Sequence, residues 1–266
     1  YSLSGKEHSD DFAVPEGGKY IMNIEIPKDR PSGNMLHFEV SFTGGYEKAD
    51  FSFEIPEIAP VPRVDEKTAI AQDPEHWQIK PCVEMSDKGF LFPHDPHTAW
   101  DGPDDLSVKL YMGWSEKNLY IGAVVKDDIH FNKNINGLFN GDSLQLAFDP
   151  ENTASIRPKK GYAGHDVELV LALTEQGPAA EVCYGSDKDI LKKSEYAVVR
   201  NEKNKTTIYK IRLPLDALSL SPGKAFGFNA VVFDDDTGTG QSYHFRYSEG
   251  ITNGKNPQLF KKFLIK

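Results

Sequence analysis

Apolar and polar residues alternate along most of this chain with the two-residue period of a half-buried β-strand. Leu106–Trp114 runs through a polar turn, Ser115–Asn118, into Leu119–Val125, the pattern of strand, turn, strand. Leu144–Asp149, Val167–Leu173, Ala179–Tyr184 and Tyr196–Arg200 follow, rich in β-branched and aromatic residues. Asn201–Asn204 reads as a hairpin turn into Thr206–Leu213. Phe226–Phe233, Tyr243–Tyr247 and Leu259–Ile265 complete the series. Helical periodicity is scarce: a short turn within Glu66–Trp77 and one turn over Leu215–Leu218. Many short strands at regular spacing with so little helix predict an all-β, two-sheet antiparallel β-sandwich.

The N-terminal stretch reads as a separate piece. Gly18–Ile26, Met35–Phe42 and Ala49–Ile55 each alternate like strands, but an immunoglobulin-like sandwich needs about seven. Residues 1–60 are therefore expected to be part of an immunoglobulin-like domain, or a small sheet, and 61–266 the main sandwich. Pro56, Pro60 and Pro62 predict a stiff extended linker between them.

Composition narrows the function. With 266 residues, of which 39% are apolar, one large domain or two ordinary ones have ample core. A net charge of −10 argues against nucleic acid, whose phosphates need a basic footprint. Nothing approaches the roughly 18 consecutive apolar residues of a membrane span. The first residue is Tyr1 rather than Met, which reads as a processed or cut fragment. Cys82 and Cys183 suit either one bridge or two buried thiols, and no cysteine–histidine spacing suggests zinc. Nucleophile elbow, His-Glu-x-x-His, P-loop and dinucleotide fingerprints are all missing, so no catalytic residue is expected.

The strand–turn–strand Asp105–Asp128, the segment Leu138-Phe-Asn-Gly-Asp-Ser143 leading into Leu144–Asp149, and Ile208–Pro214 followed by Phe226–Asp236 resemble the family 9 carbohydrate-binding modules and their DOMON-like, jelly-roll-related sandwiches. The resemblance covers Val64–Lys266. It implies a non-catalytic module of a larger secreted, periplasmic or cell-surface protein, monomeric or one part of a multidomain chain, that binds an oligo- or polysaccharide. Such modules clamp a terminal sugar between two tryptophans. The resemblance puts Phe139 at one wall and Gly254, with no side chain, at the other. It puts Gln145, Val170 and Ala172 at polar edge positions, of which only Gln145 can hydrogen-bond. Asn140 beside the wall, and Lys255 or Asn256 from the opposing loop, are the remaining polar partners expected.

Each of these residues also has a structural reading. Phe139 suits a hydrophobic plug and Asn140-Gly141 an ordinary turn pair. Trp100 lies in a polar loop where a ring can meet ligand, while the resemblance implies a structural anchor. The loss of one aromatic wall leaves open a spacer or protein-interaction sandwich that no longer binds sugar; a glycoside hydrolase has only its many carboxylates in favour. Asp234, Asp235 and Asp236 in one turn suit either a solvated acidic turn or a structural Ca²⁺, which takes roughly six to eight oxygen ligands. Asp127-Asp128 and Asp104-Asp105 are weaker versions of that turn. No haem is expected, since Met85 and Met112 have no histidine partner by spacing and read as core filler.

Overall fold

The computed structural model describes residues 2–3, 6–7, 35–40, 49–54, 57–93, 100–133, 136–156, 161–252 and 254–266, with side chains from Glu57 onward. The chain divides into two compact units, Tyr1–Glu57 and Ile58–Lys266. In the first, β1 (Ser2–Leu3), β2 (Lys6–Glu7), β3 (Met35–Val40) and β4 (Ala49–Glu54) form an antiparallel sheet in the order β2-β1-β3-β4. The strands expected over Met35–Phe42 and Ala49–Ile55 are these last two. The one expected over Gly18–Ile26 lies outside the described residues.

The second unit starts earlier than its sequence suggests. Half of the expected linker is a strand, β5 (Ile58–Val61), which pairs in parallel with β17 (Lys261–Ile265). An edge strand has one side without a partner, where the missing N–H of Pro60 breaks no ladder. Helix α1 (Glu66–Ala71) follows, capped by Asp65, whose carboxylate accepts the Thr68 N–H at 2.8 Å. A 3₁₀ turn at Pro74–His76 then delivers Trp77 into the protein, edge-on to Tyr111 and Tyr120 at 6.4 and 6.3 Å. The turn expected over Leu215–Leu218 is a tight hydrogen-bonded turn rather than helix: Pro214 ends its strand there, and Ser219 takes a positive φ.

Two sheets make the sandwich, as the alternation predicts. One contains β6 (Val83–Met85), β8 (Leu106–Trp114), β9 (Asn118–Asp127), β13 (Glu195–Asn201) and β14 (Thr206–Pro214), in the order β13-β14-β9-β8-β6. The other contains β7 (Leu91–Pro93), β10 (Ser143–Asp149), β11 (Val167–Thr174), β12 (Gly177–Tyr184), β15 (Ala225–Asp234) and β16 (Tyr243–Arg246). Its order is β12-β11-β10-β15-β16-β7, with β17 beside the start of β15. Every second residue enters the core: Leu144, Leu146 and Phe148 from β10 meet Phe228, Ala230 and Val232 from β15, and Phe148 and Phe228 approach to 5.2 Å. Met85 and Met112 pack in the same core, and Cys82 and Cys183 are both free thiols.

Gly122, in the middle of β9, lies under the Pro74–Trp77 turn. A Cβ there would come within 2.4 Å of Pro74 Cγ and 2.9 Å of the Trp77 ring. Gly122→Ala is expected to cost about 1–3 kcal/mol, as overpacked sites do, and to red-shift the Trp77 emission. Chemical denaturation followed by fluorescence checks both.

Candidate functional site

The residues of β10, β15 and β16 that miss the core point to the opposite face of the large sheet. There the register sets Phe233 beside Ser143 on one side and His244 on the other, and sets His244 beside Phe92 of β7. Phe92 and Phe233 each lie 5.2 Å from the His244 ring. Gln145, two residues along β10, shares this face. Phe92, Gln145, Phe233 and His244 line a cleft of about 370 Å³, closed by Phe139, Glu168, Gln241, Thr252 and Lys255.

Phe139 sits on a 3₁₀ turn, Leu138–Asn140, and is 40% exposed. Gly137 takes φ +112° directly beneath its ring, where a Cβ would stand 2.7 Å from a ring carbon. The polar floor is Glu168, a buried carboxylate on β11. Its Oε1 accepts hydrogen bonds from Gln145 Nε2 and Lys255 Nζ, both at 2.7 Å. Its Oε2 accepts from Lys255 Nζ at 2.7 Å and from the Tyr162 hydroxyl. Burial, with Glu168 alongside, holds the Tyr162 phenol protonated far above its usual range. Its ring packs on Tyr184 at 4.9 Å.

Three residues singled out from the sequence therefore line one cleft: Phe139, Gln145 and Lys255. Three others do not. Trp100 is the anchor: its indole N–H donates to Leu106 O at 2.9 Å and its ring packs on Phe245. Asn140 lies against Gly240, and Asn256 shapes its own loop through a backbone bond to Gly250 O at 2.8 Å. Val170 and Ala172 are buried beneath Leu138. At Gly254 a side chain would meet nothing within 4 Å, so the expected second wall is missing there. Phe92 lines the cleft beside Phe233 and His244, which are themselves almost fully buried. Glu168 went unread, although a lone charge inside the apolar run Val167–Leu173 was its signal.

A second constellation lies at one end of the sandwich. Asp234 ends β15 on its core-facing side, and Asp127 ends β9 on its own core-facing side. Asp105 precedes β8. Oxygens of Asp105, Asp234 and Asp236 lie within 4.8 Å of one another, as do those of Asp127, Asp128 and Asp236. Carboxylates from all three acidic turns of the sequence thus converge. The solvated reading does not survive for Asp127 or Asp234, which are buried. Among the described residues, neither oxygen of Asp234, nor Asp127 Oδ1, nor Asp236 Oδ1 has a hydrogen-bond donor. Burial, then the neighbouring carboxylates, pushes Asp234 up to about 9 and Asp236 up to about 6. Asp142 is raised well above the usual carboxylate range for the same reasons.

Asp235 is not part of this cluster. Its Oδ1 accepts the N–H groups of Thr237 and Gly238, and its Oδ2 that of Gly240, so it shapes the turn. The other oxygen of Asp127 is held by Arg200 at 3.0 Å, a buried ion pair. Hard, anionic oxygens left without donors are the ligand set a divalent cation such as Ca²⁺ takes, so the residues fit the expected ion. His165 and Asp166 sit beside buried Asp149; Asp149 and Asp166 accept backbone N–H groups from Ala154 and Ala163.

A two-sheet sandwich with an aromatic and polar cleft on its outer face has the form of a binding module. The family described as "Carbohydrate family 9 binding domain-like" matches residues 93–265, and the chain belongs to it. The fold is shared with a family 9 carbohydrate-binding module from Caldicellulosiruptor kristjanssonii solved with cellotriose. That match has 16% identity and a TM-score of 0.51, over 80% of this chain and 90% of that one. The same organism's module solved with glucose matches at 15% identity and a TM-score of 0.51, over 80% and 95%. No curated protein matches the chain.

The raised carboxylates give a pH signature. Without metal, folded Asp234 and Asp236 keep protons that the unfolded chain releases near its ordinary value of about 3.9. Their contribution to stability is therefore largest in acid and is lost as pH rises through about 6 and on toward about 9. Denaturation in excess chelator, at pH values from about 5 to about 9, should show this decline. Asp234→Asn should flatten it.

Proposed function

We propose that the cleft beside Phe139 receives the terminal unit of a saccharide. One C–H face of the pyranose ring stacks on Phe139, and Gln145, Gln241 and Lys255 bond the hydroxyls at its edge. The observation that carries this reading is the meeting of an exposed aromatic ring with a polar floor in one cleft. The acceptor capacity of Glu168 is filled by Gln145, Lys255 and Tyr162, so it acts on the ligand by orienting the first two. Because the family relatives were solved with cellotriose and glucose, a gluco-oligosaccharide is the first ligand to test. The empty position at Gly254 favours a second reading, a spacer or protein-interaction sandwich that has lost sugar binding.

We also read the carboxylate cluster as a structural Ca²⁺ site, the N-terminal sheet as part of an immunoglobulin-like domain, and the whole as part of a larger polysaccharide-active protein working outside the cytoplasm. The unpartnered oxygens of Asp234 support the first of these.

Calorimetry with cellotriose, backed by a glycan array, separates the two functional readings. Binding is expected, and Phe139→Ala should weaken it about five-fold, the equivalent of roughly 1 kcal/mol of stacking. Binding to no glycan would leave the spacer. For the metal, thermal melts in Ca²⁺ and in chelator should differ, by about 2.7 kcal/mol at a hundred times the dissociation constant. Equal midpoints would remove the ion from the account.

A further inference from the structure

The carboxylate cluster and the cleft share a backbone. At the end of β15, Phe233 points outward into the cleft and Asp234 inward to the cluster. At the start of β16, Tyr243 points inward and His244 outward. The register pairs Asp234 with Tyr243 and Phe233 with His244, so the two sites occupy opposite faces of the same two strand ends. The connecting turn divides in the same way: Asp236 joins the cluster, while Gln241 lines the cleft. A second path runs through Asp142. It accepts the N–H groups of Asp235 and Phe131 and so ties the acidic turn to the loop that presents Phe139. Asn140 beside Phe139 lies against Gly240 of the same turn.

From this arrangement we infer that the module is a cation-controlled saccharide binder: occupancy of the Asp105–Asp234–Asp236 cluster raises the affinity of the cleft, and a bound saccharide raises the affinity for the cation. The inference rests on both readings above. Its physical basis is that carboxylates carried by the ends of both sheets converge here, where protons can quiet their repulsion but cannot tie the strand ends together. A divalent cation coordinated by them does tie those ends together. Phe233, Gln241 and His244 then hold one arrangement, and a saccharide no longer spends binding energy in ordering them. Linkage makes the effect reciprocal and of equal factor in both directions.

The test is calorimetry on the whole chain in four titrations: Ca²⁺ alone, cellotriose in chelator, cellotriose in saturating Ca²⁺, and Ca²⁺ in saturating cellotriose. Cellotriose should bind about five-fold or more tightly with Ca²⁺ present, and Ca²⁺ should gain the same factor from cellotriose. Two unchanged affinities would overturn the inference and leave both site readings standing. Absence of Ca²⁺ binding would overturn the cation reading and the inference with it. Amide hydrogen exchange at Ile251, Thr252 and Lys255, which line the cleft and carry no cluster carboxylate, gives a sugar-independent measure. Ca²⁺ should slow it. If cellotriose fails to bind, slowed exchange still supports the coupling, and unchanged exchange overturns it. Asp234→Asn preserves the shape of the protonated side chain. It should leave cellotriose affinity at the calcium-free level whatever the Ca²⁺ concentration; should that variant misfold by circular dichroism, Asp105→Asn is read in the same way. A variant that still responds to Ca²⁺ like the wild type would overturn the inference.

Discussion

The pleat of β10, β15 and β16 is the constraint on which the rest of the protein depends. A strand offers alternate residues to opposite faces, and here both faces are used. Leu144, Leu146 and Phe148 go to the core, while Ser143, Gln145 and Ala147 go to the other side. A slip of one residue in this register would turn Gln145 into the apolar core and carry three large apolar side chains to the cleft face. The core therefore fixes where every polar group of the cleft stands. The same parity drives Asp234 inward, into a place that a carboxylate occupies only with help.

The two buried carboxylate settings show what that help can be. Glu168 has four donor contacts on its two oxygens, including both bonds from one ammonium. Its desolvation is offset locally, in the way that makes a buried ion tolerable. Among the described residues neither oxygen of Asp234 accepts a hydrogen bond, and three carboxylates lie near it, Asp236, Asp127 and Asp105. At separations of a few ångströms, two like charges repel by several kcal/mol at a protein's effective dielectric. A proton or a cation removes that cost, and the two compete for the same oxygens.

Much of the architecture was legible because the two-residue period is local: a window of a few residues is enough to see a strand. Phe139, Gln145 and Lys255 were legible through the resemblance of their flanking segments to a known module. What escaped was decided at long range. Asp105, Asp127 and Asp234 stand far apart in sequence and meet only because the ends of β8, β9 and β15 coincide. Within the run of three aspartates, local pattern could not tell Asp235, which bonds its own turn, from its neighbours, which face the cluster. Phe92 and His244 come together beside the cleft only through the pairing of β7 with β16. Ile58–Val61 looked like a linker because its prolines are read locally, while its partner strand, Lys261–Ile265, lies far from it in sequence.

That last pairing has a mechanical consequence. β5 opens the sandwich unit and β17 comes last in it, and they run parallel, side by side. A tension that draws the start of β5 away from the end of β17 acts along the strands. It loads their hydrogen bonds together, in shear, instead of parting them one after another. The unit is thus built to transmit pull along its own length without opening at the seam that joins its first strand to its last.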